Sequence, residues 1–517
     1  MSKLGKKSLE WALKHVRKYA DTDKFPVPFE LDILVRQKAS VLPILEKIDI
    51  SNHLWRPARH VLVNKDEVSY RPAVQLDPID AVLFAALVHE NGRKIEKLRA
   101  KPAAQTIFSY RYAPTSGGRL YGEDLWSDFW TRSGQLAAAR GVTHVVTTDI
   151  SDFYNQVSHH SLENLLLKAK VEGAHKTAFM NLIGRHTEKI SKGIPIGPHP
   201  SHLLGELALT PIDDFLAGSG LSYCRYVDDF HIFCGSREAA RVALYDLAKA
   251  LDKPHRLVLN RSKTSILSVE DFLQIVRDRL DDHPINEHEE AILDVLKGHS
   301  RSPYSTVRIA DLSDEEFQKF DQPLVEGVLA AYLDAERRDY TRLRYFLRRL
   351  TQVGAPGGVE LVVRRFEDFY PSIADAATYL ASAQGNYQGD WARLGGDLLR
   401  LLDLPLVQRS EYIQLVLLGL FGQVAQLNHI DKLLSRYSAS APPARRKIVL
   451  AAATAKAVPW LQQRKDEVRN LDPWTKRAVL FAGRLFEKDE RKFWLGLHKP
   501  AADPLDLQVI EAAMGGP

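Results

Sequence analysis

The stretch LSYCRYVDDFHIFC, from Leu221 to Cys234, sets two acidic residues, Asp228 and Asp229, side by side between apolar flanks. Those flanks, rich in aromatic and β-branched residues, read as the two strands of a hairpin with the acid pair at its tip. Asp is a good turn residue. A two-residue type I′ hairpin, however, favours Asn-Gly or Asp-Gly, and this tip has no glycine. Repulsion and desolvation make such a pair destabilising unless a cation sits between the carboxylates. Acids at the ends of adjacent strands can hold two Mg²⁺ ions about 3.5–4 Å apart, the geometry of in-line phosphoryl transfer.

Three other segments share this chemistry. Asp149 ends the β-branched run THVVTTDI and is followed by SDFYNQV; by itself an Asp at a strand end reads as a cap or turn former. The segment KGIPIGPHPSHLLGELAL, Lys192 to Leu209, opens with a stiff Gly- and Pro-rich loop containing Gly193, Pro195, Gly197, Pro198 and Pro200, and a helix is expected from about Ser201. Such a loop lets backbone approach a ligand closely, although alone it reads as an irregular connection. In LVLNRSKTSIL, Lys263 follows a strand-like piece and a turn. Beside a polyphosphate it could neutralise charge or protonate a departing pyrophosphate.

Taken in order, Asp149 with Phe153 and Tyr154, GIPIGP, YVDD and LN with KT resemble the palm motifs of reverse transcriptases, from about Arg71 to Leu267. The resemblance implies Asp149 and Asp228 as principal metal ligands, Asp229 as a weaker third carboxylate, and the carbonyl of Ile150 as a backbone ligand. Mg²⁺ is the implied cofactor, with Mn²⁺ as a substitute. Tyr154 falls where the family keeps an aromatic against the sugar, so dNTPs are the implied substrates. Phe153 would pack beneath the pocket, Gly197 would lie along the incoming nucleotide, and Lys263 would act as a late general acid. In the fingers-like segment FSYRYAPTSGGR, Arg111 is expected on the triphosphate, with Arg119 as understudy. One departure stands out: Ile196 occupies the loop position where polymerases of the family often carry Gln. An Ile cannot hydrogen-bond nucleotide or template.

At 517 residues, 45% hydrophobic and 26% charged, the chain is globular and long enough for about two to four domains. Its net charge of +5 permits a polyanionic partner. No apolar run reaches bilayer length; LVLLGLF, Leu415 to Phe421, suits a buried helix better. The basic N-terminus lacks an apolar signal core, and Cys224 and Cys234 are the only cysteines, so a reducing cytoplasm is expected. His283 and His288 lack zinc-ligand spacing, His159 and His160 read as surface or capping residues, and no Walker-type loop is present.

The first hundred residues read as mostly helical, DPIDAVLFAALVHENGRKIEKLRA being an amphipathic helix opened by Asp77 and Pro78. The expected organisation is an N-terminal helical extension over 1–70, fingers and palm over 71–267, a thumb-like region and linker (HSRSPYS) over 268–315, and an α-helical domain over 316–517. The implied fold is therefore α+β: a right-hand fingers–palm followed by HEAT-like helical repeats. In DPWTKRAVLFAGRLF, Trp474, Ala478, Phe481 and Leu485 are expected on one face. In RRDYTRLRYFLRRL, Arg338, Arg342 and Arg349 with Tyr345 could meet nucleic acid. A solvated face beside Leu343, Phe346, Leu347 and Leu350 is the favoured alternative.

A compact palm fused to helical repeats, with no RNase H or integrase arrangement, resembles bacterial abortive-infection and defence-associated reverse transcriptases. That likeness implies antiphage defence, untemplated or protein-primed synthesis, a DNA product and a homo-oligomer. Templated copying of a dedicated noncoding RNA, with a template RNA as partner, is the alternative. A helical scaffold with a vestigial polymerase is the alternative from another class. None of the 18 tyrosines is singled out as a primer.

Overall fold

The run HVVTTD forms the central strand of a four-stranded antiparallel sheet in the computed structural model, which describes residues 2–19, 25–188, 190–280, 284–299 and 312–516. Strands β1 (Arg59–Asn64) and β2 (Tyr70–Gln75) pair separately, while β3 (His144–Asp149), β4 (Ser222–Tyr226), β5 (Asp229–Cys234) and β6 (Ser265–Ser268) form the sheet in the order β4-β5-β3-β6. Alternation drives β-branched and aromatic side chains of β3 and β5 into a core with Phe108, Phe129, Trp130, Val145, Phe233 and Phe272. Both cysteines are free and buried in this hairpin.

The chain divides into two compact units. One comprises Met1–Thr22, Val27–Arg59 and Val74–Asp282; the other comprises Asp23–Pro26, His60–Ala73 and His283–Pro517. In the first, the helix Pro78–Glu96 begins as expected, with Asp77 accepting from the Ile79 N–H and Pro78 in the first turn. It is not amphipathic in the way read from its sequence: the continuous run Val82–Val88 is buried throughout, because the helix passes through the core. Four helices lie within the first hundred residues, which were expected to be mostly helical, and the β1–β2 hairpin interrupts them.

The helix Lys6–Tyr19 holds the loop Thr115–Arg119 by its side chains. Trp11 Nε1 donates to the Thr115 carbonyl at 2.8 Å, and His15 Nδ1 donates to the Gly118 carbonyl at 2.8 Å. Gly118 takes φ +92°, and a Cβ there would sit 2.9 Å from the His15 backbone nitrogen. Burial, with His199 nearby, pushes the His15 imidazole down to about 3, so it stays neutral in the fold. Below pH 6.5 the unfolded chain takes up a proton that folded His15 refuses. The expected loss is up to about 1.4 kcal/mol per pH unit from this group. Urea melts at pH 7 and pH 5 should show a shallower acid slope in His15→Asn, which keeps a donor, than in the wild type. Equal slopes would show that His15 is not the group responsible.

In the second unit, the helices Tyr340–Val353, Ile373–Ala383, Glu411–Gln423, Pro442–Thr454, Pro473–Ala482 and Pro504–Met514 form a row, each packed on the next. The LVLLGLF run is buried in Glu411–Gln423 as expected, and among the described residues no helix is long and apolar enough to cross a membrane. Asp472 caps Pro473–Ala482 by accepting from the Trp474 and Thr475 N–H groups. That helix is buried nearly all round, through Arg477, Val479 and Leu480 as well as Trp474 and Ala478, while Leu485 lies past its end. The expected single face is therefore corrected. The basic patch is largely spent internally: Arg338 pairs with Glu67 at 2.9 Å and Asp368 at 3.1 Å, and buried Arg349 donates to the Tyr345 hydroxyl at 2.6 Å. Most of the expected linker, together with His283, lies outside the described residues.

Candidate active site

Pairing of β3 with β5 puts Asp149 directly opposite Asp229. The β4–β5 register, Tyr226 opposite Asp229, leaves Val227 and Asp228 as the two residues of the turn. Val227 has φ +54° and Asp228 does not share it, the sign pattern of a type II′ turn, whose first position normally needs glycine. The tip therefore stores backbone strain on a β-branched residue. Ile150 donates its N–H to the Asp228 carbonyl at 3.2 Å, and the Asp149 carbonyl accepts from the Asn260 N–H at 2.7 Å. These two bonds tie the end of β3 to the turn and to the segment that carries Lys263.

The three carboxylates converge. Asp149 is 5% exposed, and its Oδ1 is buried with no hydrogen-bond partner. Burial first, then the charges of Asp149 and Asp229, push the Asp228 carboxyl up to about 7. Asp149 Oδ2 pairs with the ammonium of Lys263, whose side chain remains half-exposed. Burial works against that ammonium, but the Asp149 carboxylate outweighs it and holds Lys263 protonated. Among the described residues no three His, Cys, Asp or Glu side chains form a ready-made metal cage; the positive charge beside Asp149 is the lysine's. An orphaned, buried carboxylate oxygen beside two further acids nevertheless fits a divalent cation, whose hard charge prefers oxygen donors.

The residues expected on the nucleotide side cluster around one aromatic group. Phe153 is buried and packs edge-on to Tyr154, with ring centres 5.3 Å apart. The Tyr154 hydroxyl shares a 2.7 Å hydrogen bond with His202 Nδ1, and His202 stacks on Tyr110 at 3.9 Å and 5°. Gly205 accommodates the Tyr154 ring, which a Cβ there would meet at 3.1 Å. The loop before the helix Ser201–Ala208 runs against β2: the Val74 N–H donates to the Ile196 carbonyl at 2.7 Å, and Gly197 has φ +131°.

Arg111, expected on a triphosphate, is instead an internal brace. Its guanidinium donates to Glu96 at 3.1 Å and to the carbonyls of Ala100 at 2.8 Å and Ile107 at 3.0 Å. The planar fork that suits phosphate suits these oxygens equally well. Arg119 is exposed.

Sequence reasoning missed a buried charged group behind the turn. Glu206 and Arg225 are each 0% exposed, and Asp213 and Arg99 are buried beside them. Arg225 grips Asp213 with two bonds, 2.8 and 2.6 Å, and also reaches Glu206 at 3.1 Å. Burial pushes the Glu206 carboxyl up, but Arg225 and Arg99 outweigh it and keep it ionised. A lone charge within an apolar run, Glu206 in LLGELAL and Arg225 in SYCRY, was the available signal.

Residues 64–318 match the family model described as reverse transcriptase (RNA-dependent DNA polymerase). No curated protein matches the chain. Among solved structures, the chain is similar to telomerase from Candida albicans with a TWJ fragment of telomeric RNA, at 10% identity over 71% of this chain and 67% of that one, TM-score 0.32. It is similar also to apo telomerase from Candida tropicalis, at 11% identity over 71% and 70%, TM-score 0.36. Overlaps of that size do not establish a shared fold.

Proposed function

We propose, from the premise that this chain carries a reverse transcriptase domain and is an RNA-directed DNA polymerase, that Asp149, Asp228 and Asp229 form its nucleotidyl-transfer centre. The observation that carries this reading is the pairing of Asp149 with Asp229 across the sheet, with the Asp228 carboxyl raised first by burial and then by both of those charges. Asp149 and Asp228 would hold Mg²⁺ or Mn²⁺, with Asp229 and the Ile150 carbonyl completing the oxygen set. When bound, the metal acidifies the primer hydroxyl and neutralises the triphosphate. Lys263, half-exposed, can leave Asp149 and give its proton to the departing pyrophosphate as a general acid. Tyr154 would exclude a 2′-hydroxyl, and the Gly197 loop would run along the nucleotide. Arg119, exposed where Arg111 is committed inside, is the better guanidinium for the triphosphate.

The finer reading is a cytoplasmic, homo-oligomeric antiphage enzyme with HEAT-like repeats and untemplated or protein-primed synthesis. It is supported by the row of stacked helices in the second unit and by Ile196 in the loop. The test supplies purified chain with Mg²⁺ and labelled dNTPs, with and without an RNA template, then extracts with phenol before and after protease. Label should enter DNA from dNTPs and not from rNTPs. DNA recovered into the aqueous phase only after protease would mark a protein primer. No incorporation under either condition would overturn the polymerase assignment, and template-dependent, protein-free product would overturn the finer reading.

A further inference from the structure

Three residues near the centre have positive φ without being glycine; Asp152, at +49°, is of a type that tolerates it, and the other two are Val227 at +54°, next to Asp228, and Tyr110 at +42°, stacked on the histidine that bonds Tyr154. Conformations this unfavourable persist only where the surroundings over-determine them. Here the surroundings are one carboxylate and two guanidiniums. Arg225 Nη1 donates to the Val227 carbonyl at 2.8 Å, and Arg99 Nη1 donates to the Tyr110 carbonyl at 2.8 Å. Both arginines also bind the same oxygen, Glu206 Oε2, at 3.1 and 2.7 Å. The other Glu206 oxygen accepts from the Ser109 hydroxyl at 2.5 Å, and the Ser109 Oγ accepts the Val227 N–H at 2.8 Å. Glu206 thus lies one group away from both strained carbonyls and from the amide of the acid turn.

We infer that Glu206 is a positioning residue, locking the turn that aims Asp228 and the Tyr110–His202–Tyr154 group into one arrangement through Ser109, Arg225 and Arg99. Nothing in this group touches the reacting atoms. Its charges balance, two arginines against Glu206 and Asp213, so it can stay ionised and dry. A merely structural ion cluster has no need to meet two left-handed, non-glycine residues; this one holds both by their carbonyl oxygens. The consequence is a coupling: loosening Glu206 should disturb metal-side and nucleotide-side geometry together, whereas loosening Ser109 should disturb the turn first.

The inference rests on the proposed polymerase site, and the experiment separates the two. Steady-state dNTP incorporation is measured for Ser109→Ala and Glu206→Gln, each alone and combined with Val227→Gly, with Val227→Gly as reference and melting curves as a check on folding. Glycine adopts positive φ without steric penalty, so it should no longer need the clamp. Ser109→Ala should lower kcat by about 10–100-fold, the effect of misplacing a reacting group by about 1 Å. Adding Val227→Gly should bring it back to within about threefold of the reference. Glu206→Gln should lose kcat and raise KM for dNTP, and Val227→Gly should restore only kcat, since Arg99 and Tyr110 stay released. Wild-type kcat in Ser109→Ala, or no rescue by Val227→Gly, overturns the inference. If Glu206→Gln fails to fold, the Ser109 and Val227 variants decide the matter alone. Full incorporation by a variant with both Asp228 and Asp229 changed to Ala would instead overturn the site itself.

Discussion

Asp228→Asn is expected to lose incorporation by about 10³-fold or more, the scale seen when a group acting within a catalytic unit is removed, while the metal-free protein becomes more stable. Both results follow from the same geometry. Asn preserves the shape and the turn but takes away a negative charge that burial and two neighbouring acids oppose. Because the folded carboxyl titrates at about 7 and an unfolded Asp near 3.9, the folded chain binds more protons between those values. Stability in a chelating buffer must then fall as pH rises from about 4 to about 7, and remain low above it. Asn has nothing to titrate, so the variant should escape that loss. At pH 8 in chelator it should gain roughly 1–2 kcal/mol, a rise of a few degrees in Tm for a unit of this size. Mg²⁺ should raise the Tm of the wild type and leave the variant almost unmoved. Thermal melts with and without Mg²⁺, beside an incorporation assay, check all three. A variant that melts lower in chelator, or an equal Mg²⁺ shift in both proteins, would show that the carboxylates do not share a cation.

The acid centre was legible because its signals are local. THVVTTD is mostly β-branched before its final Asp, and the YVDD flanks are apolar and aromatic, so each acid could be placed at a strand end before any contact was known. Other features depend on partners far away in sequence. Glu206 meets Arg99 from 107 residues away, and a single Glu in an apolar helix has no periodic signature. Arg111 looked like a phosphate ligand because its chemistry does not distinguish a phosphate from Glu96 and two carbonyls. The β1–β2 hairpin was hidden by a charged turn, NKDEVS, and by Pro72 within the second strand, both of which suit an edge pairing but dilute a strand pattern. The missing glycine at the hairpin tip was noticed, but its physical solution, a valine held at positive φ from behind, required the network that sequence patterns do not display.

Gly197→Ala should be nearly as damaging as loss of an acid, for a reason confined to the backbone. Gly197 takes φ +131°, a conformation closed to residues with a side chain, and a Cβ built there would lie 2.4 Å from the Val74 carbonyl oxygen. Val74 cannot retreat easily, since it lies within β2 and its own N–H is bonded to Ile196 in the same loop at 2.7 Å. The alanine must therefore move the loop or break that bond. Displacement by about 1 Å would cost about 100-fold in incorporation, and strain with a lost hydrogen bond would cost about 2–4 kcal/mol of stability. The control is Gly184→Ala in the helix Gly173–His186, where nothing lies within 4 Å of the new methyl. That change should leave incorporation intact and add up to about 1 kcal/mol of stability from helix propensity. Measured together, the two alanines separate the effect of a methyl group from the effect of where it is placed. If Gly197→Ala polymerises like the wild type while its loop is demonstrably strained, the GIPIGP segment does not line the nucleotide path.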